Sequence, residues 1–393
     1  MKNNYFEFVN SVKILSGKNA INNIPYECDF LGVKNPLLLS DEGLKKIGSV
    51  DNFLYIIKKD MEIKHIYTDI PTDSSTLTIN EIIKYYHLNK CDGIIALGGG
   101  SVIDTAKGVR MALSQGEKDI MKLMGNEIIK RGKKIPFIVI PTTCGTGSEC
   151  TAVAVIKNHE THLKMEFISS ELLPDVAVVD VRMTMTLPAK LTASTSLDAL
   201  THAIEAYTSL QKNPISDVYA LSAIKLITEN LPAVLQNPKD QDARLNVALA
   251  STLAGIAFSN AMVGVVHAIG HACGGVCNVP HGNAMACLLV PCMEFNCDKV
   301  GDLYGDLLMY FGGTDMYAKT PAEFRGNVAI EKIRHFLNKV KELSGLNLKL
   351  SDYGVIAERI ESIADTALND GAVIVNAKDV SRENVIEILK RAL

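Results

Sequence analysis

The sequence has no basic excess and no long run of like charge: 40 Lys and Arg stand against 44 Asp and Glu, for a formal net charge of -4 and a pI near 6.2. A chain without a cationic surplus has little with which to neutralise the phosphates of a polynucleotide, so nucleic acid is not an expected partner. A leader pattern is missing as well, because Tyr5-Phe6-Glu7-Phe8-Val9-Asn10 is broken by polar residues before an apolar stretch can develop. Apolar runs stay short of bilayer length, and the stretch from Ala248 to Ala257 is interrupted by Ser251, Thr252 and Gly255. The nine cysteines are odd in number and scattered, which suits free thiols in a reducing compartment rather than a disulfide framework. Internal repeats and low-complexity segments are absent too. These absences lead us to expect a soluble, cytoplasmic protein that binds neither nucleic acid nor membrane.

What is present falls into two textures, and 393 residues are enough for two domains. From Pro36 to about Asp180, short runs rich in Ile, Val and Leu alternate with amphipathic stretches of helical length. The runs Pro36 to Leu39, Gly93 to Leu97, Pro136 to Ile140 and Val176 to Val179 are apolar nearly throughout, as strands covered on both faces must be. Ile63 to Thr68 is a weaker strand, expected nearer the sheet edge because Lys64 and His65 interrupt it. Beyond Met185, helical periodicity dominates, and Pro188 suits the first turn of a helix. The expectation is an α/β nucleotide-binding domain over residues 1–184, with a doubly wound, Rossmann-like parallel sheet, followed by an all-α metal-binding and substrate domain over residues 185–393.

The phosphate signal is Leu97-Gly98-Gly99-Gly100-Ser101-Val102-Ile103-Asp104, a buried strand entering a glycine turn and then a helix. Glycines permit close backbone approach, and the N–H groups and dipole of a new helix attract an anion. A tight structural turn with Ser101 as helix cap is the competing reading, since neither Gly-x-Gly-x-x-Gly nor the Walker pattern is matched. A second loop, Pro141-Thr142-Thr143-Cys144-Gly145-Thr146-Gly147-Ser148-Glu149, follows another buried strand, and two such loops at strand carboxyl ends point to a shared crevice. Asp41, just past the first strand, is either a helix cap or a carboxylate for an adenosine ribose.

In the helical half, Asp198 and His202 are four residues apart on one helical face, His267 and His271 repeat the spacing, and His281 follows on a loop. A mixed carboxylate and imidazole set suits iron(II), zinc or manganese better than magnesium. Two rivals are zinc at Cys273 and Cys277 with His267 or His281, and a metal on the turn bearing His159 and His162; small neighbours and a polar turn explain these residues more simply.

Taken together, Gly98 to Ser101, Pro141 to Glu149, Thr195 to Tyr207 and His267 to Gly282 resemble the signatures of the iron-dependent, or group III, alcohol dehydrogenases, in the lactaldehyde reductase and 1,3-propanediol dehydrogenase branch. The resemblance implies a dehydroquinate synthase-like fold and metal ligation by Asp198, His202, His267 and His281. His271 would lie near the nicotinamide without being a principal ligand, where the near-neutral titration of an imidazole suits a catalytic proton relay and packing against the nicotinamide is the equal alternative. It further implies that Gly98, Gly99, Gly100, Ser101, Asp104, Thr142, Thr143, Thr146 and Lys164 serve the cofactor, with Asp41 favouring NAD over NADP. Val153, Phe258 and Val263 would line a narrow, apolar substrate pocket. Departures from the family pattern are Ser196 for a common glycine, Cys144 for a usual alanine, and Val153 where a polar residue can stand.

The implied function is a metal-dependent, NAD(H)-linked alcohol dehydrogenase or aldehyde reductase for small primary alcohols or short aldehydes, propanediols among them. Iron(II) is the expected metal, and a homodimer or higher homo-oligomer the expected assembly. Alternatives are a zinc glycerol dehydrogenase-like or dehydroquinate synthase-like enzyme of the same fold, or a non-catalytic nucleotide-binding protein. A synthase would need clustered basic groups, whereas Lys212, Lys225, Lys239 and Arg244 are scattered.

Overall fold

The computed structural model describes residues 5–124, 131–161 and 164–393, which form two compact units, Val9–Thr186 and Leu187–Leu393, the described residues up to Phe8 joining the second. Phe8 stacks on Tyr219 within that second unit, ring centroids 5.8 Å apart.

Among the described residues, the first unit contains eight strands: β1 (Lys13–Gly17), β2 (Pro36–Leu39), β3 (His65–Tyr67), β4 (Gly93–Gly98), β5 (Phe137–Pro141), β6 (Val153–Lys157), β7 (Lys164–Ile168) and β8 (Val176–Asp180). Its helices are α1 (Ile24–Phe30), α2 (Glu42–Lys46), α3 (Ser49–Ile57), α4 (Thr76–Leu88) and α5 (Gly100–Gln115). Six strands form one parallel sheet in the order β1-β8-β5-β4-β2-β3. Alternate residues of its strands feed two cores. Leu37, Leu39, Ala96 and Val139 pack on one side with residues of α4 and α5, and Leu38, Leu97, Ile138 and Val178 on the other with Phe53 of α3. Burial on both faces explains why these strands read as continuous apolar runs.

β3 lies at the sheet edge, as its polar interruptions suggest, and is shorter than the run from Ile63 to Thr68. The opposite edge strand, β1, and the antiparallel hairpin of β6 and β7 have no counterpart in the sequence reading. β1 is mostly accessible, so it carries no apolar run. The hairpin alternates buried and accessible residues, placing Ala154, Ile156, Met165 and Phe167 against the α5 side of the core.

The second unit is helical: α6 (Ala189–Thr208), α7 (Pro214–Gln236), α8 (Gln241–Ser259), α9 (Val265–Cys277), α10 (His281–Phe311), α11 (Thr314–Lys319), α12 (Ala322–Ser344), α13 (Ile360–Ala367) and α14 (Arg382–Ala392). α6 is buried along most of its length, packed by α7, α8 and α10. Its small hydroxyls turn back on the helix: Ser196, Thr201 and Thr208 donate to the carbonyls of Thr192, Leu197 and Ile204 at 2.7, 2.8 and 2.9 Å. They are satisfied locally, whereas Asp198, His202 and Glu205, spaced i, i+4, i+7 along one face, are left to face other helices, and Tyr207 donates to Asp306 of α10 at 2.7 Å. By length and composition alone α7 could cross a membrane, but here it packs as a core helix against α6 and α8.

Candidate metal centre and nucleotide site

In the α/β unit, the parallel register pairs Gly98 with Pro141, and the Thr142 N–H donates to the Gly98 carbonyl at 3.0 Å. The turn after β4 and the loop after β5 therefore leave the sheet side by side. The order of the strands reverses between β2 and β4, the kind of position at which open α/β sheets bind ligands. α5 begins at Gly100 with Gly99 as its cap, a residue with no side chain to offer its first amides. A Cβ at Gly99 would lie 3.1 Å from Thr143 Cγ2, and one at Gly100 would lie 2.8 Å from Thr146 Cγ2. The glycines thus let the threonine loop close onto the start of α5, bringing Thr142, Thr143 and Thr146 to the same end of the sheet.

Ser101 is not the helix cap that the competing turn reading supposed. Gly99 holds that position, and the Ser101 hydroxyl instead donates to the Thr72 carbonyl. Asp104 accepts from the Ser148 hydroxyl at 2.6 Å and from the Val155 N–H at 3.0 Å, so it ties α5 to the second loop and to β6. Burial raises its pKa, with the Lys107 charge opposing that shift. Lys107 donates to Thr151 Oγ1 and to the Val153 carbonyl, both at 2.7 Å, and burial lowers its ammonium pKa to about 8. Lys164 opens β7 with its ammonium 2.9 Å from Asp73 Oδ1. Asp41 plays the capping role weighed from sequence, accepting from the Leu44 N–H at 2.9 Å at the start of α2.

In the helical unit, α6 supplies Asp198 and His202, α9 supplies His267, and His281 stands at the start of α10. One ligand-type atom from each lies within 4.8 Å of the others. Asp198 Oδ1 is 3.2 Å from His281 Nε2, 3.8 Å from His267 Nε2 and 4.0 Å from His202 Nδ1. Asp198 Oδ1, His202 Nδ1 and His267 Nε2 are buried and have no hydrogen-bond partner. Unpaired buried polar atoms are costly, and three of them converging from two helices is an arrangement that a cation would satisfy. The tight start of α10 makes this convergence possible, since a Cβ at Gly282 would lie 2.6 Å from the Ser194 carbonyl oxygen of α6.

The electrostatics fit a positive charge at this point. Burial alone would raise the Asp198 pKa, but the neighbouring imidazoles outweigh it and hold the carboxyl well below its usual range. Burial drives His202 down to about 3, keeping it a neutral donor. Burial opposes charge on His267 too, yet the neighbouring Asp198 and Glu205 carboxylates carry it up to about 9. Carboxylates and neutral imidazoles are the forms that ligate a metal, so a divalent ion bound here would displace any proton these side chains share. The donor set therefore fits a divalent transition metal.

Residues the sequence reading left unassigned hold this cluster. Glu205 accepts from His267 Nδ1 at 2.5 Å and from the Val266 N–H at 2.7 Å, fixing the ring while satisfying the start of α9. Asn376 accepts from the Val265 N–H at 3.2 Å and exchanges hydrogen bonds with Asn296 at 3.0 and 2.9 Å. The spacing of Glu205 from Asp198 and His202 was a signal for it; nothing local marks Asn376.

His271 stays out of the four-residue cluster, its ring centroid 5.3 Å from that of His281 and its Nδ1 2.8 Å from Asp370 Oδ2. Phe258, near the end of α8, stacks on His202 at 4.2 Å, and Val263 lies in the α8–α9 connection. Val153 opens β6. Among the described residues, neither Cys273 nor Cys277 joins the cluster, and all nine cysteines are free thiols. His159 Nδ1 pairs with Thr76 Oγ1 at 2.7 Å, while His162 lies outside the described residues.

This architecture has known counterparts. Residues 11–181 match the family described as iron-containing alcohol dehydrogenase, and residues 192–393 match the C-terminal part of the Fe-containing alcohol dehydrogenase family. The chain is 33% identical over 378 residues to a 1,3-propanediol dehydrogenase of Klebsiella pneumoniae, covering 96% of each. It is 32% identical over 383 residues to alcohol dehydrogenase 4 of Schizosaccharomyces pombe, covering 96% of this chain and 87% of that protein. A crystal structure of a 1,3-propanediol oxidoreductase superposes with a TM-score of 0.92 at 31% identity, covering 99% of this chain and 100% of the other. The chain is an oxidoreductase that belongs to the iron-containing alcohol dehydrogenase family.

Proposed function

We propose that this chain interconverts small primary alcohols and short aldehydes, propanediol-type compounds among them, using NAD(H) and iron(II), with zinc or manganese able to replace the iron. The observation that carries this reading is the convergence of Asp198, His202, His267 and His281, three of whose ligand-type atoms are buried and unpaired. These four side chains would hold the metal, and a divalent ion bound there supplies Lewis-acid polarisation of the substrate oxygen.

The rest of the work falls to the chain itself. Glu205 holds the Nδ1 edge of His267, which keeps Nε2 directed at the cluster. Phe258 covers His202 and makes that side of the cluster apolar, which favours a short substrate and excludes water. His271, held at Nδ1 by Asp370, presents its other nitrogen for moving a proton to or from the substrate oxygen. The glycine turn and threonine loop would bind the pyrophosphate. Asp41, beside the reversal in strand order, would accept from ribose hydroxyls and repel a 2′-phosphate, which favours NAD. On this reading the α/β unit binds the nucleotide and the helical unit binds metal and substrate.

The test is anaerobic NADH oxidation by metal-stripped protein, with and without iron(II) or zinc, across short aldehydes including lactaldehyde and 3-hydroxypropanal. Turnover restored by metal and ranked by aldehyde is the expected outcome. NADH binding without turnover under any metal would reject the reading.

A further inference from the structure

Two of the side chains assigned to the cofactor are already engaged, and by the same loop. Residues 71–75 follow the carboxyl end of β3 and reach the start of α5, where the Ser101 hydroxyl donates to the Thr72 carbonyl. One residue on, Asp73 lies 2.9 Å from the Lys164 ammonium through Oδ1 and 3.8 Å from the Lys157 ammonium through Oδ2. The next residue anchors the loop: the Ser74 carbonyl accepts from the Lys157 N–H at 2.7 Å, and the Ser74 hydroxyl accepts from Thr105 at 3.0 Å. Asp73 is thereby fixed between the first turn of α5 and the β6–β7 hairpin, close to a turn whose amides are arranged for an anion.

A carboxylate is the wrong charge for such a place unless it serves the exchange of ligand. We propose that Asp73 is an affinity-tuning residue of the nucleotide site. It occupies Lys164 in the free protein, so an anionic cofactor must compete with it for that ammonium, and it speeds the cofactor's release. The inference rests on the reading that Lys164 meets the cofactor. The pair is half-exposed, so the competition is modest and screened by salt. Thr72 acts in the same sense on Ser101, through a neutral hydrogen bond.

Equilibrium NADH binding to the full chain, followed by cofactor fluorescence at low and high ionic strength, tests this with four proteins: wild type, Asp73→Asn, Lys164→Met and the double variant. Asp73→Asn should tighten NADH binding roughly two- to five-fold at low salt, the range for an exposed ion pair. Its gain should shrink at high salt and vanish in the Lys164→Met background, while Asp73→Glu should bind as wild type does. A weakened Lys164→Met with an unchanged or weakened Asp73→Asn would overturn the role of Asp73 and leave the cofactor reading intact. Unchanged binding in Lys164→Met would overturn the placement of Lys164 and the inference with it.

Discussion

In the helical unit, polar atoms of Asp198, His202 and His267 lie buried without hydrogen-bond partners. In the α/β unit, Ser101, Asp104, Lys164 and Asp41 are each bonded to another part of the protein. The first site carries a desolvation cost that a cation would relieve. The second is satisfied by itself, and a ligand there exchanges one set of hydrogen bonds for another. The difference teaches that a resident ion would be served by a preformed, desolvated cluster. A cofactor that must come and go is better served by backbone amides and by side chains with somewhere to return to.

Three substitutions would break or sharpen this contrast. The largest effect is expected from His267→Ala, which removes one of the convergent buried donors. Metal content measured by elemental analysis should fall below stoichiometric, and kcat/KM should drop by roughly three decades, as loss of several kcal/mol of Lewis-acid stabilisation implies. NADH affinity should stay within about two-fold of wild type. Retained turnover would show that the cluster is not the metal site.

Next comes Glu205→Ala, which leaves all four proposed ligands in place but frees the His267 ring and the Val266 amide. Competition against a chelator should show metal affinity reduced by about ten- to a hundred-fold. Glu205→Gln, which can still accept from the ring, should recover part of the loss. Equal losses in the two variants would mean that Glu205 acts by charge rather than by orienting the imidazole.

The smallest effect is on the other site. Gly100→Ala would place a Cβ 2.8 Å from Thr146 Cγ2, pushing the second loop away from the start of α5. Overpacking of this kind costs about 1–3 kcal/mol, so NADH should bind roughly ten-fold more weakly with metal content unchanged. Adding Thr146→Ser, which deletes the clashing methyl, should restore most of the affinity. Failure of that rescue would separate the glycine's role from the packing of the two loops.

These tests also mark what could be read in advance. Five candidate ligands were legible because Asp198 and His202, and again His267 and His271, stand at i, i+4 with His281 following, while the choice of four among them came from the family resemblance and not from local geometry. Four strands of the main sheet were legible because burial on both faces leaves a continuous apolar run. β1 and the β6–β7 hairpin were not, since a mostly accessible edge strand and a one-sided ribbon carry only weak patterns. Asn376 was invisible because its partners, Val265 and Asn296, are far away in the chain.

By itself, then, the sequence determined the residue types that can bind a metal and a phosphate, the two textures of the chain, and the lack of a net basic excess, because composition and short-range periodicity depend only on the chain itself. The tertiary structure alone decided that Glu205 would hold His267, that Gly282 would let α10 approach Ser194, that Gly99 rather than Ser101 would cap α5, and that Asp73 would take up Lys164. Each of these depends on which helix, strand or loop packs beside which. That choice is made by burying apolar surface over the whole fold, and no local stretch of sequence encodes it.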